Sequence, residues 1–272
     1  MSDGRSKGFT GSSVPEAYER YMLQQIFVPW AADLVARAGL QQGQHVLDVA
    51  SGLGPVARLA ATTVGPTGRV VASDISGAML ELAAAKAAAP GAAPIDYLEC
   101  SASSITIEAD RFDVVLCQQG LQFFPDRAIA VAEMVRVVRP GGTVAVSTWS
   151  AEHPLGLFGP IAEAMAAAEL TEPYPGAFAP DSYTIGTAEL EQLLSGAGLG
   201  QVTVETVQGM ATWDSMELAV STLLATPFGP TVTALDPDRQ AQIRDDVSRR
   251  LGQVEDGPVV IRTAANVAIG RS

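Results

Sequence analysis

From Gln44 onward the chain alternates short, nearly continuous apolar runs rich in β-branched residues with stretches whose apolar positions recur at helical spacing. The runs cover residues 45–50, 69–73, 95–99, 112–117 and 143–148. A run that is apolar at successive positions is a strand buried on both faces, as in a parallel sheet covered by helices. The intervening helices are predicted over 55–64, over 76–88 up to Pro90-Gly91, and over 128–138 up to Pro140-Gly141-Gly142, because proline does not continue a helix and glycine closes one. The fold class is therefore α/β, assembled from βαβ units.

Outside this region the pattern changes twice. Residues 15–38 carry Tyr18, Tyr21, Met22, Ile26, Phe27, Trp30, Leu34 and Val35 at mostly helical spacing with an interruption at Pro29, which predicts two short helices. Residues 154–180 are proline-rich around one helix, 161–170. A clearer helix over 187–197 closes at Gly198, and strands near 201–207 and 259–269 flank helices at 215–225 and 237–251. The division expected is an N-terminal tail and helical lid (1–43), a ligand-binding core (44–150), and a substrate-side insertion with C-terminal strands of the same domain (151–272).

Composition narrows the function. With 47% apolar and 17% charged residues the chain has ample core, and its net charge of −13 repels phosphate backbones, so a nucleic-acid partner is not expected. Lys7 and Lys86 are the only lysines, and neither sits where a catalytic lysine is needed. Two cysteines (Cys100, Cys117) and two histidines (His45, His153) are too few for a structural zinc or a disulfide framework, so no metal is expected and a reducing cytoplasm is the simplest setting. No stretch reads as a secretory leader or a membrane span, which leaves no membrane insertion to expect. Oligomeric state leaves no mark.

The chemistry lies where the first strand runs into Ala50-Ser51-Gly52-Leu53-Gly54-Pro55. Glycines there permit positive φ and close ligand approach, and Pro55 suits a first helical turn. Twenty residues after Gly54, Asp74 ends the second strand, where a carboxylate accepts both hydrogens of a ribose diol. Together these features specify a nucleoside-containing ligand. Gly52-Leu53-Gly54-Pro55-Val56-Ala57 also fits the dinucleotide fingerprint, so a nicotinamide-dependent dehydrogenase stands as a rival, although no tyrosine is followed four positions later by lysine. Asp48, inside an apolar strand, is costly unless it organises the loop amides or meets a cationic ligand group.

Four segments, Val46-Leu47-Asp48-Val49-Ala50-Ser51-Gly52-Leu53-Gly54, Asp74-Ile75-Ser76-Gly77-Ala78-Met79-Leu80, Phe112-Asp113-Val114-Val115 and Arg139-Pro140-Gly141-Gly142-Thr143, follow one another in an order and spacing that resembles the ubiquinone/menaquinone-biosynthesis type of class I methyltransferase. Pro15-Glu16-Ala17-Tyr18-Glu19-Arg20-Tyr21 resembles that family's lead-in helix, and the match is firm over about 44–149. The resemblance implies a Rossmann-like, mostly parallel seven-stranded sheet with helices on both faces, S-adenosylmethionine as cofactor, and methyl transfer to a small organic molecule.

For the cofactor the resemblance implies Ala50, Ser51 and Gly52 against the methionine part, Asp74 on the ribose, Ile75 and Met79 around the adenine, and Ser101 and Ala102 at the purine edge; Asp48 is a further cofactor-binding candidate, and Tyr18 and Tyr21 are candidates to close over the cofactor carboxylate from the N-terminal helix. Gln118 and Gln119 border cofactor and acceptor alike. The family usually carries Asp where Ser101 stands, and a neutral bond there is weaker by about 1 kcal/mol. That departure is the sequence's one support for a methyltransferase fold repurposed for another reaction, such as cyclisation.

The acceptor is expected against Tyr18, Gln122, Phe123, Trp149 and His153. Aromatic residues Phe158, Tyr174, Phe178 and Tyr183 suggest that it is apolar, whether quinone-like or a secondary metabolite. If a general base is used, His153 is the candidate, because it alone among the histidines follows the fifth strand.

Overall fold

A computed structural model describes residues 14–153, 156–171, 179–252 and 257–272. Seven strands, β1 (His45–Val49), β2 (Arg69–Asp74), β3 (Ile95–Glu99), β4 (Phe112–Gln118), β5 (Val138–Trp149), β6 (Gly200–Trp213) and β7 (Val259–Arg271), form one sheet in the order β3-β2-β1-β4-β5-β7-β6. The first five pair in parallel, whereas β7 runs antiparallel to both β5 and β6. Strand order reverses at β1, which lies between β2 and β4, and a crevice at the carboxyl ends of such strands is where open α/β sheets bind ligands.

Alternate residues of the central strands feed two cores. Val46, Val70, Val114 and Ala145 pack with Leu34 and Val35 of α2 (Val28–Ala38) and Ala60 and Val64 of α3 (Pro55–Val64). Leu47, Val115, Val144 and Val146 pack on the other face with Val131 and Met134 of α5 (Arg127–Val137) and Leu190 and Leu194 of α7 (Thr187–Gly196). Burial on both faces explains why these strands read as unbroken apolar runs. A third cluster joins the N-terminal segment to Trp149, Trp213, Ile161 and Met165 of α6 (Phe158–Ala167), and helices further along the chain.

The N-terminal region differs from expectation. Instead of two helices parted at Pro29, α1 (Val14–Tyr18) continues through a nine-residue π-helical run, Glu19–Phe27, directly into α2. Val28 donates its N–H to the Leu23 carbonyl five residues back, and Pro29 falls in the first turn of α2, where a missing donor costs least. The wider turn buries Met22, Leu23, Ile26 and Phe27 along one side.

Three boundaries also move. Helix α4 is Gly77–Ala84, capped by Ser76, whose Oγ accepts from the Met79 N–H, and it stops short of the expected 88. Residues beyond Ala83 have no buried face, and alanine propensity alone does not sustain a short helix. Strand β5 starts at Val138, with a register shift opposite Phe112 and Val114. Strand β6 runs on to Trp213 past Gly209, where a Cβ would stand 2.8 Å from Cζ2 of Trp30. Among the described residues no helix is long and apolar enough to cross a membrane, and no cluster of His, Cys, Asp and Glu is arranged to hold a metal.

Gly142 sets a test of this packing. A Cβ there would lie 2.7 Å from the Asp113 carbonyl oxygen, 2.9 Å from that of Arg139 and 2.6 Å from Cγ2 of Val138, and two of these three are backbone atoms that cannot swing aside. Gly142→Ala is expected to destabilise the protein by about 1–3 kcal/mol, read as a fall in the urea midpoint at constant m. An unchanged midpoint contradicts this close approach of β4 and β5.

Candidate active site

A cavity of about 300 Å³ opens at the carboxyl ends of β1, β2, β4 and β5, at the lower end of the size range of small-molecule sites. Its floor is built by backbone that sequence and sterics fix closely. Gly52 and Gly54 take φ of +52° and +70°, as the glycine loop requires. Ala50 and Gln119 adopt φ of +56° and +50° without being glycines, at the ends of β1 and β4. Such conformations persist only where the surroundings enforce them. Here the two are interlocked, because a Cβ on Gly120 would stand 2.7 Å from the Ala50 Cβ.

Asp74 fastens this floor. Its Oδ2 accepts from the Gly52 N–H at 2.8 Å and its Oδ1 from the Ser76 N–H at 2.9 Å, so one carboxylate joins the loop after β1 to the start of α4. Burial without a cation raises its pKa, while the Ser76, Gly52 and Ile75 amides oppose the rise. Asp48 is 1% exposed and does not line the cavity; its Oδ2 accepts from the Ala57 N–H at 2.9 Å, holding the first turn of α3. Burial raises its pKa well above the carboxylate range, the Ala57 amide opposing and the nearby Asp74 charge adding to the rise.

Of the residues expected to meet a cofactor, the structure brings Ala50, Gly52, Asp74, Ile75, Met79, Ser101, Ala102, Gln118 and Gln119 to the cavity wall. Ser51 is buried beside it, its N–H bonded to the Ser73 carbonyl and its hydroxyl without a partner, and it does not line the wall. Tyr21 is turned away. Its carbonyl accepts from Trp213 Nε1 at 2.9 Å and its ring lies under the Arg20 guanidinium at 5.3 Å, because the π-helical turn directs Tyr18 and Met22 into the cavity instead.

Of the expected acceptor contacts, Tyr18, Phe123 and Trp149 line the cavity. Tyr18 stacks on Phe27 at 4.7 Å between ring centroids, and Trp149 meets Trp30 edge-on at 6.0 Å. Gln122 is fully buried behind the wall, with Nε2 donating to the Gln119 carbonyl at 3.0 Å. His153 is exposed and off the wall, its N–H bonded to Ser150 Oγ at 3.2 Å, so the structure does not bring it to the cavity as a general base. Phe158 lines the cavity with Tyr183 edge-on against it at 5.4 Å, whereas Tyr174 and Phe178 lie outside the described residues. A smaller recess of about 40 Å³ shares Met22, Phe123 and Phe158 with the main cavity and extends its apolar side toward Ile161 and Phe228.

Sequence reasoning missed Met22, Phe27, Cys100, Phe124 and Pro125 on this wall. Phe124-Pro125 follows directly on the β4 exit and was within reach of that signal. Met22 and Phe27 were not, since their placement depends on the π-helical turn. Among the described lining residues the ionisable groups are Tyr18, Asp74 and Cys100, and there is no lysine, arginine or histidine. Burial raises the pKa of Tyr18 well above its usual value, with the Asp74 charge adding to it, and burial also raises the Cys100 thiol, so both stay protonated at neutral pH.

A seven-stranded sheet in this order, with a glycine loop after β1 and a carboxylate ending β2, defines a class I methyltransferase, and the comparisons agree. The model of the ubiE/COQ5 methyltransferase family matches residues 13–157. An uncharacterized protein of Mycobacterium tuberculosis is 34% identical over 214 residues, 78% of this chain and 74% of its own length. A ubiquinone/menaquinone biosynthesis C-methyltransferase of Francisella philomiragia is 35% identical over 122 residues, 44% of this chain and 49% of the relative. A phosphoethanolamine N-methyltransferase of Haemonchus contortus, solved with phosphomonomethylethanolamine and S-adenosylhomocysteine, superposes with a TM-score of 0.64 at 17% identity, covering 99% of this chain and 59% of that one. The chain belongs to the ubiE/COQ5 methyltransferase family and is an S-adenosylmethionine-dependent methyltransferase. That membership settles the choice against the nicotinamide-dependent dehydrogenase.

Two measurements test the carboxylates. Asp74→Ala removes both loop contacts and the acceptor for a diol, and it is expected to weaken S-adenosylhomocysteine about 100-fold in calorimetric titration, an estimate from the loss of two charge-assisted bonds. A loss under threefold contradicts the assignment. Asp48 has a folded pKa above its unfolded one, so its contribution to stability is full below the unfolded value near 4 and declines as pH rises through the folded value. Asp48→Asn keeps an acceptor for Ala57 but cannot ionise, so the urea midpoint of the variant should fall less than that of the wild type between about pH 4 and pH 8. Parallel profiles would show that Asp48 is not titrating in this range.

Proposed function

We propose that the protein methylates a small, neutral, apolar ring compound, quinone-like or a secondary metabolite, and that proximity rather than a protein base drives the transfer. The observation that carries this is the wall itself. Beyond Asp74 it presents no charged side chain among the described residues, and five aromatic side chains besides Tyr18, those of Phe27, Phe123, Phe124, Trp149 and Phe158, line it. A phosphate-bearing acceptor of the kind named for the Haemonchus enzyme would need a cation here, and the described wall has none to offer.

The residues present fit the cofactor. The Gly52 amide bonds to one Asp74 oxygen and the Ser76 amide to the other, and the acceptor capacity left on the carboxylate suits a ribose diol. At Gly52 the space a Cβ would fill is open, so backbone can approach a ligand. Ile75, 51% exposed, and Met79, 4% exposed, flank the carboxylate as apolar surfaces for a purine, with Ser101 and Ala102 at its edge. When bound, S-adenosylmethionine would supply a methyl carbon activated by a sulfonium, for transfer to a nucleophilic atom of the acceptor. Asp74, the one anion on the wall, favours a cationic cofactor over a neutral one. Tyr18, Met22 and Phe27 wall the cavity from the N-terminal segment with aromatic and apolar surface. With Tyr18 and Cys100 held protonated, the acceptor's proton leaves to solvent rather than to a side chain.

The test is transfer of labelled methyl from S-adenosylmethionine to a panel of acceptors, with products partitioned between organic solvent and water. Label in neutral, extractable aromatic products is the expected result. Label confined to phosphorylated or carboxylated acceptors, or to nucleic acid, overturns the reading. Because the described wall carries no histidine, lysine or arginine and Tyr18 and Cys100 stay protonated, kcat with an acceptor whose own pKa lies outside the range should vary less than threefold between pH 6.5 and 8.5, and His153→Ala should leave it within twofold.

A further inference from the structure

Three glutamines leave β4 together, and the structure gives them different fates. Gln118 is committed, its Nε2 donating to the Phe27 carbonyl at 2.9 Å and so tying the sheet to the N-terminal segment. Gln122 turns back and donates to the Gln119 carbonyl. Gln119 is 5% exposed and stands on the cavity wall, yet its Oε1 and Nε2 are both closed off and neither has a partner. An amide with both polar atoms buried and unbonded is expensive, and a turn of this side chain into the cavity would let a ligand complete it.

Topology says which ligand. Asp74 on β2 and Ser101 just after β3 lie on one side of β1, whereas Gln119 on β4, Trp149 on β5 and Phe158 at the start of α6 lie on the other. The backbone holds the amide in place, because the φ of +50° at Gln119 departs from the strand and its N–H is fixed to the Ser147 carbonyl at 2.8 Å. Resting on the reading that the acceptor is a neutral apolar ring, we infer that Gln119 is the residue that determines acceptor specificity. Its amide selects a ring bearing an adjacent hydrogen-bond donor and acceptor on one edge, such as a lactam or a vinylogous amide, and takes no part in holding the cofactor.

This is tested by calorimetric titration of the S-adenosylhomocysteine complex with three flat bicyclic probes, namely 2-quinolone, which has the donor–acceptor edge, naphthalene, which lacks it, and 2-naphthoate, which is anionic. The wild-type protein should bind 2-quinolone at least 10-fold more tightly than naphthalene, and Gln119→Leu should bring the two within twofold while S-adenosylhomocysteine affinity stays within twofold of wild type. Equal binding of the two neutral probes to the wild type overturns the role of Gln119 and leaves the ring-acceptor reading intact. A large loss of S-adenosylhomocysteine affinity in a folded Gln119→Leu makes Gln119 a cofactor residue and overturns the inference. Binding of 2-naphthoate alone, or of none of the three, overturns the ring-acceptor reading and the inference with it. Should Gln119→Leu fail to fold, the comparison of probes on the wild type still decides, and Gln119→Asn, which tolerates the same backbone and shortens the reach, replaces it.

Discussion

A buried carboxylate with no cation beside it constrains everything around it, because its charge has to be met by oriented backbone amides. Asp74 is that group. The Gly52 and Ser76 amides converge on it from two different elements, so the loop after β1, the end of β2 and the start of α4 become one rigid piece. Gly52 takes positive φ in this loop, which glycine adopts without strain. Asp48 works one layer below by anchoring α3 through Ala57, and burial, with the nearby Asp74 charge adding to it, holds its carboxyl well above the usual range. The paired acids thus build the floor first. The negative character of the site, which suits a cationic cofactor, follows from the same arrangement.

The central sheet was legible because burial on both faces leaves a signal that needs no context. Val46-Leu47 and Val114-Val115 each send one side chain to either core, and any strand so placed must be apolar at consecutive positions. The Gly52 turn and Asp74 were legible because only certain residue types serve there. What could not be read depends on partners distant in sequence. The π-helical run has a turn wider than the 3.6-residue period by which apolar positions are normally judged, so Tyr18, Tyr21 and Met22 looked alike until the fold set Tyr18 and Met22 on the cavity wall and left Tyr21 off it. His153 drew attention as a rare residue after β5, but scarcity says nothing of direction, and the loop carries it outward. The full length of β6 was hidden by Gly209, which looks like a break and in fact makes room for Trp30.

Gln118 and Gln119 illustrate the limit most clearly, since adjacent identical residues carry identical sequence information. Regular pleating would send them to opposite faces of the sheet. The left-handed backbone at Gln119 breaks that alternation, and both line the same cavity, one tied to the Phe27 carbonyl and one unbonded. Three parts hold the break in place, the Gln119 N–H on Ser147, the Gln122 amide on the Gln119 carbonyl, and Gly120, whose missing side chain admits the Ala50 Cβ. Ala50 belongs to the floor that Asp74 organises, so the carboxylate at the end of β2 and the amide at the end of β4 are mechanically linked across β1. A substitution that loosened the Gly52 loop would therefore be felt at Gln119 as well, through Ala50 and Gly120 and without any ligand in between.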